Sequence, residues 1–218
     1  MTTTAHTDEH EPVDTPPGAA APGLRLVEAR TPAPTTVDVT AYVDAMSAHC
    51  PYLAPSVERE LTHWTMYEAA GDAADVEAAV FEAGVLSAEW LRTQADRRQA
   101  TLMCENIVVS GVGRELLAWP HWALKNLYTP VGVMFGKFPV GDQIADHHGR
   151  VIPEPPVSFL AVRFVVRARD PLFLSRTPDL ADAVAKAEDD GRDVFEALSL
   201  SREWKDVKLW ARERLPKE

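Results

Sequence analysis

The sequence predicts an α+β protein: a small, mainly antiparallel sheet of about three to five strands with helices packed on one face, behind a disordered N-terminal tail. Three observations carry this reading. Residues 1–35 are dominated by Thr, Pro, Ala and Gly; short β-branched runs recur later, each closed by Gly or Pro; and helix-spaced, Ala- and Glu-rich segments lie between and after them.

In the first segment Pro12, Pro16, Pro17, Pro22, Pro32 and Pro34 break every regular element, so residues 1–35 read as a tail and residues 36–218 as a single domain. The tail's His6 and His10, on a flexible acidic stretch, make a poor metal site. Val39 to Ala48, with Tyr42, Val43 and Met46 at helical spacing, predicts a short helix ending before His49-Cys50-Pro51-Tyr52. Pro55-Ser56 opens a second helix, to which Leu61, Trp64, Met66 and Tyr67 would supply apolar contacts. Cys50 therefore falls in a constrained joint between helices.

From Asp72 to Gln99, Val76, Val80, Phe81, Leu86, Trp90 and Leu91 recur at helical intervals, with Gly84 a point of interruption. Thr101 to Ser110 (TLMCENIVVS) reads as a strand stopped by Gly111-Val112-Gly113, and Arg114 to Leu127 as a helix kinked or restarted at Pro120. Val131 to Phe138 (VGVMFGKF) and Val157 to Arg167 (VSFLAVRFVVR) are two further strands, joined by a proline-rich loop long enough to carry function. Helices are predicted at Pro178–Asp189 and from Val194 to about Arg214, the second set up by Asp193. There is no internal repeat.

Composition narrows the function classes. With 46% hydrophobic and 25% charged residues the chain suits a globular core, and its net charge of −11, with the 22 basic residues forming no long run, argues against nucleic acid and anionic membranes as partners. No stretch approaches the roughly 20 apolar residues that cross a bilayer, and the N-terminus lacks the basic-then-apolar order of a signal peptide, so a cytoplasmic location is expected. Two cysteines, Cys50 and Cys104, are too few for a disulfide scaffold. The dinucleotide-binding glycine pattern, the P-loop, the nucleophile elbow, H-E-x-x-H and CxxC are all missing.

What remains is a set of candidates. Cys50, rigidified by Pro51, is either a plain thiol at a helix end or a thiolate able to ligate iron; Cys104, mid-strand, reads as core. His147-His148 lies in the proline-flanked loop after Asp142 and Asp146, and reads either as a solvated pair or as a ligand with a carboxylate orienter. His63, beside Trp64, suits a packed helix surface, and His121, between Trp119 and Trp122, an aromatic pocket. Arg163, Arg167 and Arg169 alternate with Phe164, Val166 and Ala168, which on a strand gives either a solvated stripe or an anion site.

Three stretches taken together add a resemblance: Cys50-Pro51-Tyr52 before Glu58 and Trp64; Gly132 to Phe138; and Pro156 to Arg163 followed by Asp170 and Phe173-Leu174. Over roughly Val39 to Leu174 the pattern resembles an actinobacterial domain-of-unknown-function family of biosynthetic clusters. That family is distantly similar to the YqcI/YcgG-type proteins, which include haem-containing N-oxygenases acting on amino or guanidino groups of amino acids. The resemblance implies haem b, with O2 as co-substrate. Cys50 matches the family cysteine and Arg163 its strand arginine. One departure is that Phe138 is followed by Pro139 where the family often has His, and His147-His148 come later.

The leading expectation is therefore a haem-dependent N-oxygenase of specialised metabolism. Its cofactor contacts are sought among His49, Cys50, His121 and Arg163, and its metal ligands among Cys50, His147 and His148. Its expected partners are a small amino-acid substrate and an electron donor or peroxide; a homodimer stays open. The rival is a cofactor-free binding or accessory protein, and a third option is non-haem iron held by two His and a carboxylate.

Overall fold

A computed structural model of the chain describes residues 22–95, 100–143, 145–146 and 148–216. In chain order it comprises β1 (Gly23–Thr31), α1 (Thr40–Met46), α2 (Leu53–Glu58), β2 (Thr62–Ala70), α3 (Ala73–Arg92), β3 (Cys104–Ser110), α4 (Arg114–Tyr128), β4 (Val133–Phe138), β5 (Phe159–Phe164), α5 (Pro178–Ala185), α6 (Val194–Ala197) and α7 (Trp204–Arg212). The strands form one sheet in the order β1-β2-β3-β5-β4. Every pairing is antiparallel except β2 with β3. A parallel pair needs a crossover, and the 20-residue α3 supplies it.

Alternation along the central strand sorts the core. Ile107 and Val109 of β3 face the helices α3, α4 and α7, packing with Val80, Leu91, Leu117, Leu124 and Val207. Val108 faces the other way, with Trp64, Met66 and Phe159 beneath Tyr42 and Met46 of α1. The α+β class with a mainly antiparallel sheet is as predicted, but helices cover both faces. The second, smaller layer decides where the candidate site lies. A third cluster, of Met134, Leu174, Leu180 and Val184, closes the sheet beside α5.

Several elements depart from expectation. The stretch Gly23–Thr31, read as tail, is an edge strand paired to β2, with Leu26 opposite Tyr67. Its own apolar content is slight; β2 supplies the hydrogen bonds that order it. Trp64 to Tyr67 is strand and not helix. Trp64 and Met66 serve one face, Thr65 and Tyr67 the other, and because both faces are buried the apolar run lost its period-2 signature. Glu60, at φ 56°, ends α2 before this strand.

Gly84 does not interrupt α3. A Cβ there would collide with Leu124, so the glycine marks a close approach of α3 to α4. The start of α3 follows the sequence: Asp72 accepts from Ala74 and Asp75 while Asp75 accepts from Asp72, a reciprocal cap. Pro120 is accommodated inside an unbroken α4. The final helix is two, α6 and α7, parted where Ser199 takes φ 50°. Because β5 ends at Phe164, Arg167 and Arg169 do not continue the face of Arg163. Among the described residues no helix is long and apolar enough to cross a membrane.

Candidate functional site

Three segments distant in sequence meet over the α1 side of the sheet: the joint between α1 and α2, the long connection between β4 and β5, and the segment after β5. Asp146 ties the first two together. In the β4–β5 connection its Oδ1 accepts the amides of His148 and Arg150, each at 2.9 Å, and its Oδ2 accepts Arg150 Nε at 2.8 Å. His49 Nδ1 lies 3.1 Å from the same Oδ2. The carboxylate is 5% exposed, and although burial works against its charge, the Arg150 and His148 amides, His49 and the Arg150 guanidinium together hold it well below the usual carboxylate range.

An ionised carboxylate only accepts, so His49 Nδ1 is the donor in this bond. The His49 side chain is 13% exposed and opens onto a groove of about 630 Å³. His148, Arg150, Arg169, Leu172 and Phe173 form much of its wall. Arg150 is fixed by Asp146 and by Ala48 O at 3.1 Å, and Arg169 lies 5.5 Å from the centre of the Tyr52 ring. Leu172 and Phe173, 71% and 60% exposed, are large apolar side chains at the groove.

The other candidates divide. Cys50 is half-buried in the joint but does not line the groove. Arg163 stands across from Cys104, and its guanidinium grips the nearly buried Asp170 by two bonds, 2.9 and 2.6 Å, with a third to Phe164 O. Its anion partner is thus the protein's own, and the groove takes its cations from Arg150 and Arg169. Arg167 instead caps the Ala187 carbonyl. His147 lies outside the described residues.

His121 belongs to the opposite side of the sheet. Carried by α4, it meets the carbonyl of Phe135 at 3.2 Å, and burial, aided by Lys125 and Lys137, pushes its pKa down to about 3. Its α4 neighbours Leu117 and Leu124, and Phe135, belong to the larger core, across the sheet from His49. His63, too, sits on that side, edge-on to Trp90, because its strand partner Glu105 faces α3. Glu105 is fully buried, accepting from Thr65 Oγ1 at 2.7 Å and facing Arg30 Nε at 3.1 Å, while Arg30 lies 3.8 Å over Trp90. The sequence offered no signal for this ion pair, since Arg30 fell in the expected tail.

A family model for a domain of unknown function, DUF6875, matches residues 46–193, more than half of the chain. The chain belongs to the DUF6875 family. Neither a curated protein nor a solved structure matches it. The DUF6875 region contains His49, Cys50, Asp146, Arg150, Arg163 and Arg169, so the whole groove is family structure, whereas β1 and α7 lie outside the match. Among the described residues of this DUF6875 protein, no three His, Cys, Asp or Glu side chains gather within metal-binding reach. A ligand set made wholly of protein is not assembled there; a prosthetic group that asks for one axial side chain is compatible with what is.

Proposed function

We propose that this DUF6875 protein is a haem-dependent oxygenase that oxidises the amino or guanidino nitrogen of an amino acid, with haem b held in the groove by His49. The single observation that carries the reading is the His49–Asp146 bond at the groove wall. Metal-ligating histidines almost always donate their second N–H to a carboxylate or carbonyl, which fixes the tautomer and makes the ligating nitrogen more basic. The resemblance to YqcI/YcgG-type proteins supports the same reading from the sequence side.

The remaining wall suits the same ligand. Haem is a large apolar plane with two carboxylates at one edge: Leu172 and Phe173 offer apolar cover, and Arg150 and Arg169 offer forked donors for propionates. Bound there, haem supplies oxygen activation, with electrons from a donor protein or from peroxide. The chain's own work is to orient His49 through Asp146, to neutralise the propionates, and to exclude water from one face with Leu172 and Phe173. Cys50, which does not line the groove, is given no ligand role, and neither is His121.

The test is reconstitution. Purified protein titrated with hemin is expected to give a Soret band at one haem per chain, His49→Ala to lose it, and imidazole to restore it. The loaded protein, given peroxide or a reductant with O2, is expected to add oxygen to the nitrogen of one member of an amino-acid panel. No Soret band in the wild type, or an unchanged spectrum in H49A, overturns the assignment and leaves the accessory-protein reading, in which Leu172 and Phe173 contact a partner protein.

A further inference from the structure

β1 is lightly attached to the sheet. None of its nine residues is buried, its register with β2 slips between Leu26 and Glu28 and again between Glu28 and Thr31, and it lies outside the DUF6875 match. Arg30 ties it to the interior. The guanidinium lies 3.8 Å over the Trp90 ring, and its Nε stands 3.1 Å from Oε2 of Glu105, whose side chain is fully buried while that of Arg30 is 31% exposed.

His63 stands beside the same carboxylate. It is the register partner of Glu105 across the parallel β2–β3 pair, on the same face of the sheet, and it meets Trp90 edge-on at 6.1 Å. His63 Nδ1 and Glu105 Oε2 are nevertheless both buried without a hydrogen bond. Such a pair of unmet groups is costly and calls for a reason. The surroundings of the ring supply it. Burial opposes its protonation most, Arg30 of β1 adds to that, and Glu105 of β3 and Glu60 ahead of β2 work against it; from α3 the neighbour is the uncharged Trp90. With Arg30 in place the ring therefore titrates below its ordinary value.

One buried carboxylate thus has two basic groups in reach, and Arg30 holds it while His63 is neutral. We propose that β1 is a releasable strand latched by Arg30 on Glu105, and that protonation of His63 opens the latch by giving Glu105 a cation from inside the sheet. Position decides which cation leaves. His63 is carried by β2, which is paired on both sides, whereas Arg30 sits on an edge strand and can swing its charge into water. Release also removes the Arg30 charge and part of the burial from the ring but leaves Glu105, so the released state binds the proton more tightly. By linkage acid favours release: the released fraction rises by up to about tenfold per pH unit as pH falls from about 6.5 towards the value of the latched ring. Release bares the β2 edge from Trp64 to Ala70, including Tyr67, which pairs with Leu26 while β1 is docked.

The device lies apart from the groove, and hydrogen exchange of the full chain prepared without haem tests it independently of the oxygenase assignment. Exchange is followed by peptide from about pH 7.5 to about pH 5, a range that brackets the ordinary histidine value. Protection factors for β1 and for the β2 amides that bond to it are expected to fall about tenfold across the range, while those of α4 hold. In His63→Gln, whose side chain takes no proton, the fall is expected to be less than about twofold. The wild-type ring provides a second measurement that does not depend on this variant folding. Followed by NMR, its titration midpoint is expected to rise in Arg30→Ala, because coupling between two sites is reciprocal. Protection of β1 that ignores pH, an equal fall in H63Q, loss of α4 protection at the same pH, or a His63 midpoint that Arg30→Ala leaves unmoved overturns the proposal.

Discussion

His49 Nδ1 and Asp146 Oδ2 stand 3.1 Å apart although 97 residues separate them in the chain. The contact joins the α1–α2 joint to the β4–β5 connection and gives the groove an oriented imidazole. Removing the carboxylate charge while keeping the shape is the sharpest probe of it.

For Asp146→Asn, haem affinity in the reconstitution titration is expected to fall about 10- to 100-fold, the usual cost of losing a partner that orients a ligand. The same variant has a pH signature. A carboxyl held below its ordinary range in the folded state stabilises the protein above about pH 4 and loses that contribution as pH falls through its folded value. The stability gap between wild type and D146N, measured by urea unfolding, is thus expected to be full at pH 6 and to shrink in strong acid. A gap that grows on acidification contradicts the geometry.

His121 predicts the opposite end of the same linkage. The folded ring resists protonation down to about pH 3, whereas the unfolded ring titrates near 6.5. Between these values the unfolded chain binds the extra proton, so stability rises with pH, by up to about 1.4 kcal/mol per pH unit from this one group. His121→Gln is expected to flatten that slope between pH 4 and 6. An unchanged slope would falsify the assignment of His121 as the neutral, half-buried ring.

The Arg30–Glu105 pair tests whether Gly23–Thr31 is part of the fold. Glu105 is fully buried and Arg30 about a third exposed, so Arg30→Ala leaves a buried charge with only Thr65 to answer it. A loss of about 2–3 kcal/mol is expected, below the range for fully enclosed pairs because water reaches Arg30. Adding Glu105→Gln to R30A is expected to recover part of it. Chemical denaturation of the single and double variants reads both.

Gly84 provides a packing test. An added methyl gains helix propensity, about 1 kcal/mol at most, but intrudes on the fully buried Leu124. Overpacking costs about 1–3 kcal/mol, so Gly84→Ala is expected to destabilise by about 1 kcal/mol net. In a double-mutant cycle with Leu124→Ala the two losses are expected to be less than additive, since the second change removes the collision.

Much of the fold was legible because local signals and tertiary packing agreed. The start of α3 after Asp72, the β-branched run ending at Gly111, and the strands ending at Phe138 and near Phe164 all stand close to where spacing put them. The misread strands share one cause: β2 is buried on both faces, which erases alternation, and β1 acquires its order from β2. For the site, residue types were legible and pairings were not. Asp146 was recognised as a carboxylate able to orient an imidazole, but was assigned to its neighbours His147-His148, when the ring it orients is His49. Chain distance carries no information about that choice.

By itself the sequence determined the α+β class, the Asp193 cap, the missing standard motifs and the pool of titratable side chains, because these depend on backbone preferences and residue chemistry within a few positions. Tertiary structure alone decided that α1 covers the second face of the sheet, that His49 meets Asp146 while His121 is turned to the other side, and that Arg163 answers Asp170. Such pairings depend on which strands become neighbours, and that is fixed only when the apolar faces of the whole sheet are buried at once.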